Sequence, residues 1–183
     1  MGWLVLSVVF VLGLCWAVGA HNRLTRLRTE VLRQWGTIDT VWLKWLVRFQ
    51  GAVSARQILA WSSEVNDLQS LQDASEAMVE ALAQARQQSL DRASLEMLLQ
   101  CHEALMQCID EVAQRVPESV RPHLLAAQTR ILQNIPLAVV PYHQAVEKYN
   151  AALAQAPASW LARRLRMRSA LFLRLPARAG VIA

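Results

Sequence analysis

Hydrophobic residues in this chain fall into two regimes, a solid apolar block at the start and then single apolar positions spaced three and four apart. The block, Gly2 to Ala20, contains nineteen residues and no charged side chain. As a helix it reaches roughly 28 Å, the depth of a bilayer's hydrocarbon core, which predicts one membrane crossing over residues 1–20. Trp3 and Trp16 suit the interfaces. Beyond the block, Leu24, Leu27, Val31, Trp35, Ile38, Trp42, Trp45, Phe49 and Val53 share one stripe about 100° wide, predicting one long helix after the anchor. From Trp35 the 3, 4, 3, 4 spacing is that of a bundle or coiled-coil seam. Gly36 weakens this helix slightly and Gly51 is expected near its end.

A second helical region is predicted from about Ala55 to Gln88, with Ile58, Trp61, Val65 and Leu68 in register and a restart at Asp73, where Glu76 completes a capping-box pattern. A third starts at Asp91 or Ser94, carries Leu95, Leu98, His102, Leu105, Ile109, Val112 and Val116, and ends at Pro117. A fourth starts near Pro122 and shows Tyr142, Val146, Tyr149 and Leu153 on one stripe before Pro157 stops it. Pro136 and Pro141 are expected to kink it, because each removes a backbone donor and crowds the carbonyl four residues back. The fold class is therefore all-α: an N-terminal transmembrane helix, an antiparallel up-and-down four-helix bundle over 21–157, and a basic membrane-proximal tail over 158–183. In that topology the chain returns to the bilayer near Pro157.

Charge sharpens this picture. The formal net charge is +5, but residues 34–158 hold nine Lys and Arg against thirteen Asp and Glu, so the basic residues concentrate at the two ends. Arg23, Arg26, Arg28 and Arg33 follow the apolar block at once, and no Lys or Arg precedes it. That asymmetry puts the short N-terminus outside and the bundle in the cytoplasm. It also favours a retained anchor over a cleaved export signal, although Val18-Gly19-Ala20 has the small residues of a cleavage site. Cys15 suggests a lipoprotein, but Leu14 precedes it where a small residue is needed. At the far end Trp160, Arg163, Arg164, Arg166 and Arg168 precede the apolar Leu171-Phe172-Leu173. These arginines are scattered around a helical wheel, so a clean amphipathic surface helix is not predicted. Contact with anionic headgroups and a frayed, solvated tail remain open.

The segment His21-Asn22-Arg23-Leu24, followed by Val31, Trp35, Ile38 and Asp39, resembles the opening of the LemA family, where Tyr-Asn-x-Leu leads into a helix bearing Trp-x-x-Ile-Asp. Tyr142, Ala145-Val146, Tyr149-Asn150 and the later Pro157 are similar to that family's Tyr-Asn-x-Ala-Val-x-x-Tyr-Asn segment, and Pro117 sits where its third helix ends. His21 and His143 replace a Tyr and an Asn of these motifs. Lys44-Trp45-Leu46-Val47-Arg48-Phe49-Gln50 stands where the family has Arg-x-Asp-Leu-Ile-Pro-Asn-Leu-Val, and Pro136 and Pro141 are unusual for its fourth helix. The resemblance implies a divergent member: a bacterial single-span membrane protein with a short external N-terminus and a cytoplasmic antiparallel bundle. It implies no established biochemical activity.

Chemistry is sparse. Cys101, His102, Glu103 and Cys108 form the most reactive-looking cluster, yet adjacent residues point about 100° apart and the two thiols lie roughly 10 Å apart along one helix. Packing is the expected role for both cysteines and for His102, with a metal or redox sensor on Cys101, His102 and Cys108 as the alternative. With Cys15 the three thiols give no disulfide framework. Phosphate loops, nucleophile elbows and zinc-helix motifs are missing, and the chain has only six glycines with which to build such turns. No enzyme activity, cofactor, small-molecule substrate or nucleic-acid partner is expected. Trp35, Trp42 and Trp45 are expected in the core rather than in a ligand cage. Asp39, at the stripe's edge, is expected to pair across the bundle or cap a polar contact. The expected function is a membrane-anchored, non-enzymatic scaffold or adaptor for a protein partner, with an exported soluble bundle as a further alternative.

Overall fold

The computed structural model describes residues 2–54, 65–156 and 158–175. Among them it has five helices and no strand: α1 (Gly2–Ser54), α2 (Val65–Gln87), α3 (Arg92–Arg115), α4 (Arg121–Ala154) and α5 (Ala158–Arg164). The all-helical expectation holds. Apolar block and following helix are one continuous element, because no residue between Ala20 and Leu24 breaks helical geometry. The residues group into two compact units, one drawing on 2–34 and 141–172, the other on 35–140 and 173–175.

The second unit is the four-helix bundle. Its core is the expected seam: Trp35, Ile38, Trp42, Trp45, Phe49 and Val53 of α1 are all buried. Leu46, which the 3, 4 spacing skips, is buried too, so the buried face of α1 is wider here than a two-residue seam. Every α3 residue of the predicted stripe, from Leu95 to Val116, is buried. Asp91 caps α3 by accepting from the Ser94 amide, and Val116 closes it just before Pro117.

Polar contacts tie each helix of the bundle to the next. Asp39 on α1 forms an ion pair with Arg86 on α2 at 2.9 Å, which settles its cross-bundle role. The buried Asp67 on α2 pairs with Arg115 on α3 at 2.5 Å. Buried Gln128 on α4 donates to the Met106 carbonyl of α3 at 3.3 Å, and Trp45 Nε1 on α1 donates to the Ala127 carbonyl of α4 at 2.7 Å. Each contact supplies a partner for a group that would otherwise lose its hydration on burial.

One expectation differs. α2 runs unbroken through Asp73, so no restart occurs there, and its buried face follows Leu71, Ser75, Met78 and Leu82 while Leu68 lies at its edge. A capping-box pattern does not open a helix when the preceding turns already continue it. Ile58 and Trp61 lie outside the described residues, as does Pro157. The expected helix through Pro136 and Pro141 is present as one element. Each proline forfeits one hydrogen bond of a 34-residue helix, and the packing of Ile135, Ala138, Val139 and Tyr142 on either side holds the element together.

The other unit packs the second half of α4 and α5 onto the start of α1, with Leu24, Ala152 and Ala162 as its buried centre and Leu27, Leu153, Ala158 and Met167 around them. α5 ends in a Schellman motif: Met167 N–H bonds the Ala162 carbonyl at 2.9 Å, and Arg166 N–H bonds that of Arg163 at 3.2 Å. Arg166 takes the left-handed position at φ 52°, where glycine is usual. Arg166→Gly should therefore stabilise the protein by about 0.5–1 kcal/mol, seen as a raised denaturation midpoint. An unchanged or lowered midpoint would show that the side chain, not the backbone, decides at this position.

Candidate membrane interface

α1 is the one described helix long and apolar enough to cross a membrane, with a window of mean hydropathy 2.3 of which none is buried. Trp3 and Trp16 are exposed near the ends of the apolar run. Just past the run, Leu24 turns inward while Arg23, Arg26 and Arg28 remain exposed. Onto this turn comes the end of α4. Ala152, Gln155, Ala156 and Ala158 face Trp16, Gly19, Ala20 and Arg23 across a crevice of about 300 Å³.

The same packing carries the C-terminal arginines to this unit. Trp160 is 67% exposed, and Arg163, Arg164, Arg166 and Arg168 are all exposed. None of these four, nor Arg23, Arg26 or Arg28, forms an ion pair among the described residues. Seven arginines without carboxylate partners thus share one unit with the exposed apolar run. Such an array attracts anionic headgroups by about 1 kcal/mol per charge near the surface.

Glu30 is the one acidic residue within the first cluster, residues 21–33. It accepts from Arg33 Nη2 and Gln34 Nε2, each at 2.7 Å, and these bonds lower its pKa from the ordinary 4.5 to about 2. The Arg33 guanidinium is correspondingly held above its usual value. A carboxyl depressed in the folded state contributes its stability above pH 4.5 and loses it as pH falls through about 2. Carbon-13 NMR titration should show Glu30 still ionised at pH 3.5, with the effect weakened by salt because the pair is exposed. An ordinary midpoint near 4.5 would mean that the Arg33 contact is not held in solution.

The C-terminal segment after α5 is not frayed through Phe172. Three side chains from α4 hold its backbone: Tyr142 Oη donates to the Leu171 carbonyl at 2.8 Å, Tyr149 Oη to that of Arg168 at 3.0 Å, and Asn150 makes two bonds. Asn150 Nδ2 donates to the Ala170 carbonyl at 2.8 Å while its Oδ1 accepts the Ala170 N–H at 2.9 Å. Burial pushes Tyr142 up to about 12 and raises Tyr149, against which Arg28 acts in the opposite sense. His143 packs edge-on against Phe172 with ring centroids 5.3 Å apart.

The motif residues therefore divide by role. Leu24, Trp35, Ile38 and Val146 are core, Asn22 is exposed, Asp39 makes an ion pair, and Tyr142, Tyr149 and Asn150 form the clamp. Ala162, Ala170 and Met167, which complete the clamp and the Schellman turn, carry no sequence signal of their own.

Cys101 and Cys108 are half-buried, and burial is the main cause that raises both thiols above their ordinary value, the reverse of an activated thiolate. His102 is buried against Trp42, centroids 5.8 Å apart. The described residues bring no group of three or more His, Cys, Asp and Glu side chains together for a metal ion. Cys15 is exposed within the apolar run. Compared with family models, curated proteins and solved structures, the chain matches none.

Proposed function

We propose that this is a single-span membrane protein whose helical bundle lies in the cytoplasm and serves, without catalysis, as a scaffold or adaptor for a protein partner. One observation carries the reading: the compact unit that holds the exposed apolar run also holds seven arginines that form no ion pair among the described residues, drawn from both ends of the chain. Positive charge concentrated beside a span marks its cytoplasmic side, and anionic lipids there would receive the arginine array. The resemblance to LemA supports the same orientation and a bacterial cell membrane. Burial that raises the Cys101 and Cys108 thiols and the packing of His102 against Trp42 support structural roles for these three residues.

Protease accessibility of a C-terminal tag in outer-membrane-permeabilised cells, read with the intact mass of the chain, tests the proposal. A protected tag on a full-length chain is expected. Digestion of the tag on a full-length chain would reverse the orientation, and a chain starting at His21 would make the apolar run an export signal.

A further inference from the structure

Between α1 and α4 of the bundle unit lies an open groove of about 940 Å³. Trp45, Phe49, Leu124 and Ile131 line it as apolar floor, and the first two rings stack at 5.1 Å. Its other described lining residues include Lys44, Arg48, His123 and Arg130, and among them no Asp or Glu. Between Trp35 and Val140 the remaining described cations are Arg86, Arg92, Arg115 and Arg121, and every one of them is ion-paired with a carboxylate. Lys44, Arg48 and Arg130, all exposed, form no ion pair among the described residues. Among the described residues of this unit, cations without ion-pair partners thus gather at this groove, in a chain segment that is acidic on balance.

On α1 the lining runs from Thr37 to Val53, about 24 Å of helix, and on the other side from Ser119, just before α4, to Ala138 within it. The dimensions suit a helix laid along the groove rather than a small ligand held at one point. Leu137, 74% exposed at one end, extends the apolar strip. Lys44 and Arg48 on α1 and Arg130 on α4 stand on the two opposing walls, so acidic groups on both flanks of one helix can meet them. Lys44 lies twenty-four residues past Ala20, outside the arginine cluster that follows the apolar run.

We propose that the groove docks an amphipathic helix of a partner protein, its apolar stripe seated on Trp45, Phe49, Leu124 and Ile131 and its flanking carboxylates facing Lys44, Arg48 and Arg130. The proposal rests on the scaffold reading and names the partner's chemistry.

The test uses the full chain in nanodiscs of zwitterionic lipid, with empty nanodiscs as blank. Two fluorescent peptides of about 18 residues carry the same Leu stripe at helical spacing, one flanked by Glu and one by Lys. The Glu peptide is expected to bind, the Lys peptide not, and Lys44→Glu/Arg48→Glu/Arg130→Glu is expected to weaken the Glu peptide about tenfold or more. Circular dichroism checks that the triple variant keeps its helix. Ala126→Phe narrows the groove with the cations intact, and it should weaken binding as well.

Equal binding of both peptides, no binding of the Glu peptide, displacement of a bound peptide's signal by oleate with no loss in the triple variant, or full binding by Ala126→Phe would each overturn the proposal. Binding is measured without regard to which side of the membrane the bundle occupies. A failed titration therefore leaves the anchor and its orientation standing, and a reversed topology leaves the groove standing.

Discussion

Trp42→Ala should destabilise the bundle by about 3–5 kcal/mol, the cost of a large void where a fully buried aromatic stood. Trp42 lies on α1 with 0% exposure, its ring 6.4 Å from that of Trp35 in an edge contact and 5.8 Å from that of His102 on α3. Its removal therefore loosens both the α1 seam and the α1 to α3 packing. For a unit of this size the loss should lower Tm by more than about 10 °C. Trp42→Phe should cost distinctly less, because it leaves a smaller void and deletes an indole N–H that finds no acceptor among the described residues. Leu43→Ala, one residue away but exposed, is the control and should change stability by less than about 0.5 kcal/mol. Thermal melts followed by circular dichroism read all three. Equal effects from Trp42→Ala and Leu43→Ala would mean that the seam is misassigned.

Why Trp42 was legible in the sequence and the C-terminal segment was not comes down to the range of the forces involved. The α1 and α3 seams repeat every three and four residues, and one face of a helix buries such residues wherever the helix lies. The ends of α3 were legible for a similar reason, since Asp91 and Pro117 act on backbone groups a few residues away. Local rules failed where long-range packing decides. α2 passes Asp73 because Leu71, Ser75 and Met78 are already seated in the core. Residues 165–175 have no helical or strand period to detect. Their order comes from Tyr142, Tyr149 and Asn150, nineteen to twenty-nine positions away from the groups they bond. Arg166 hides its Schellman turn, because the expected marker there is glycine. The candidate groove is concealed for another reason. Lys44, Arg48 and Arg130 are ordinary surface cations in sequence, and only the folded bundle shows that their neighbours of like type are ion-paired while they are not, among the described residues.

Asn150→Leu tests whether the clamp holds the arginine segment in place. Leucine keeps the branched outline of Asn150 but removes both bonds to Ala170, whose N–H and carbonyl belong to a residue only 3% exposed. Leaving two buried backbone groups unpaired costs about 2–4 kcal/mol, so the segment gains more by detaching into water than by staying. Limited trypsin digestion should then cut rapidly at Arg166 and Arg168, where the wild type resists, and intact mass identifies the fragments. Tyr142→Phe and Tyr149→Phe should have smaller effects, about 1 kcal/mol each, because each removes one bond. If the proposed membrane role is right, the same Asn150→Leu chain loses part of its preference for anionic over neutral lipid in nanodiscs, since four of its seven unpaired arginines no longer sit beside the span. Faster cleavage with unchanged lipid preference would confirm the clamp and remove the C-terminal arginines from the membrane contact, and an unchanged digestion pattern would mean that Asn150 is not what holds the segment.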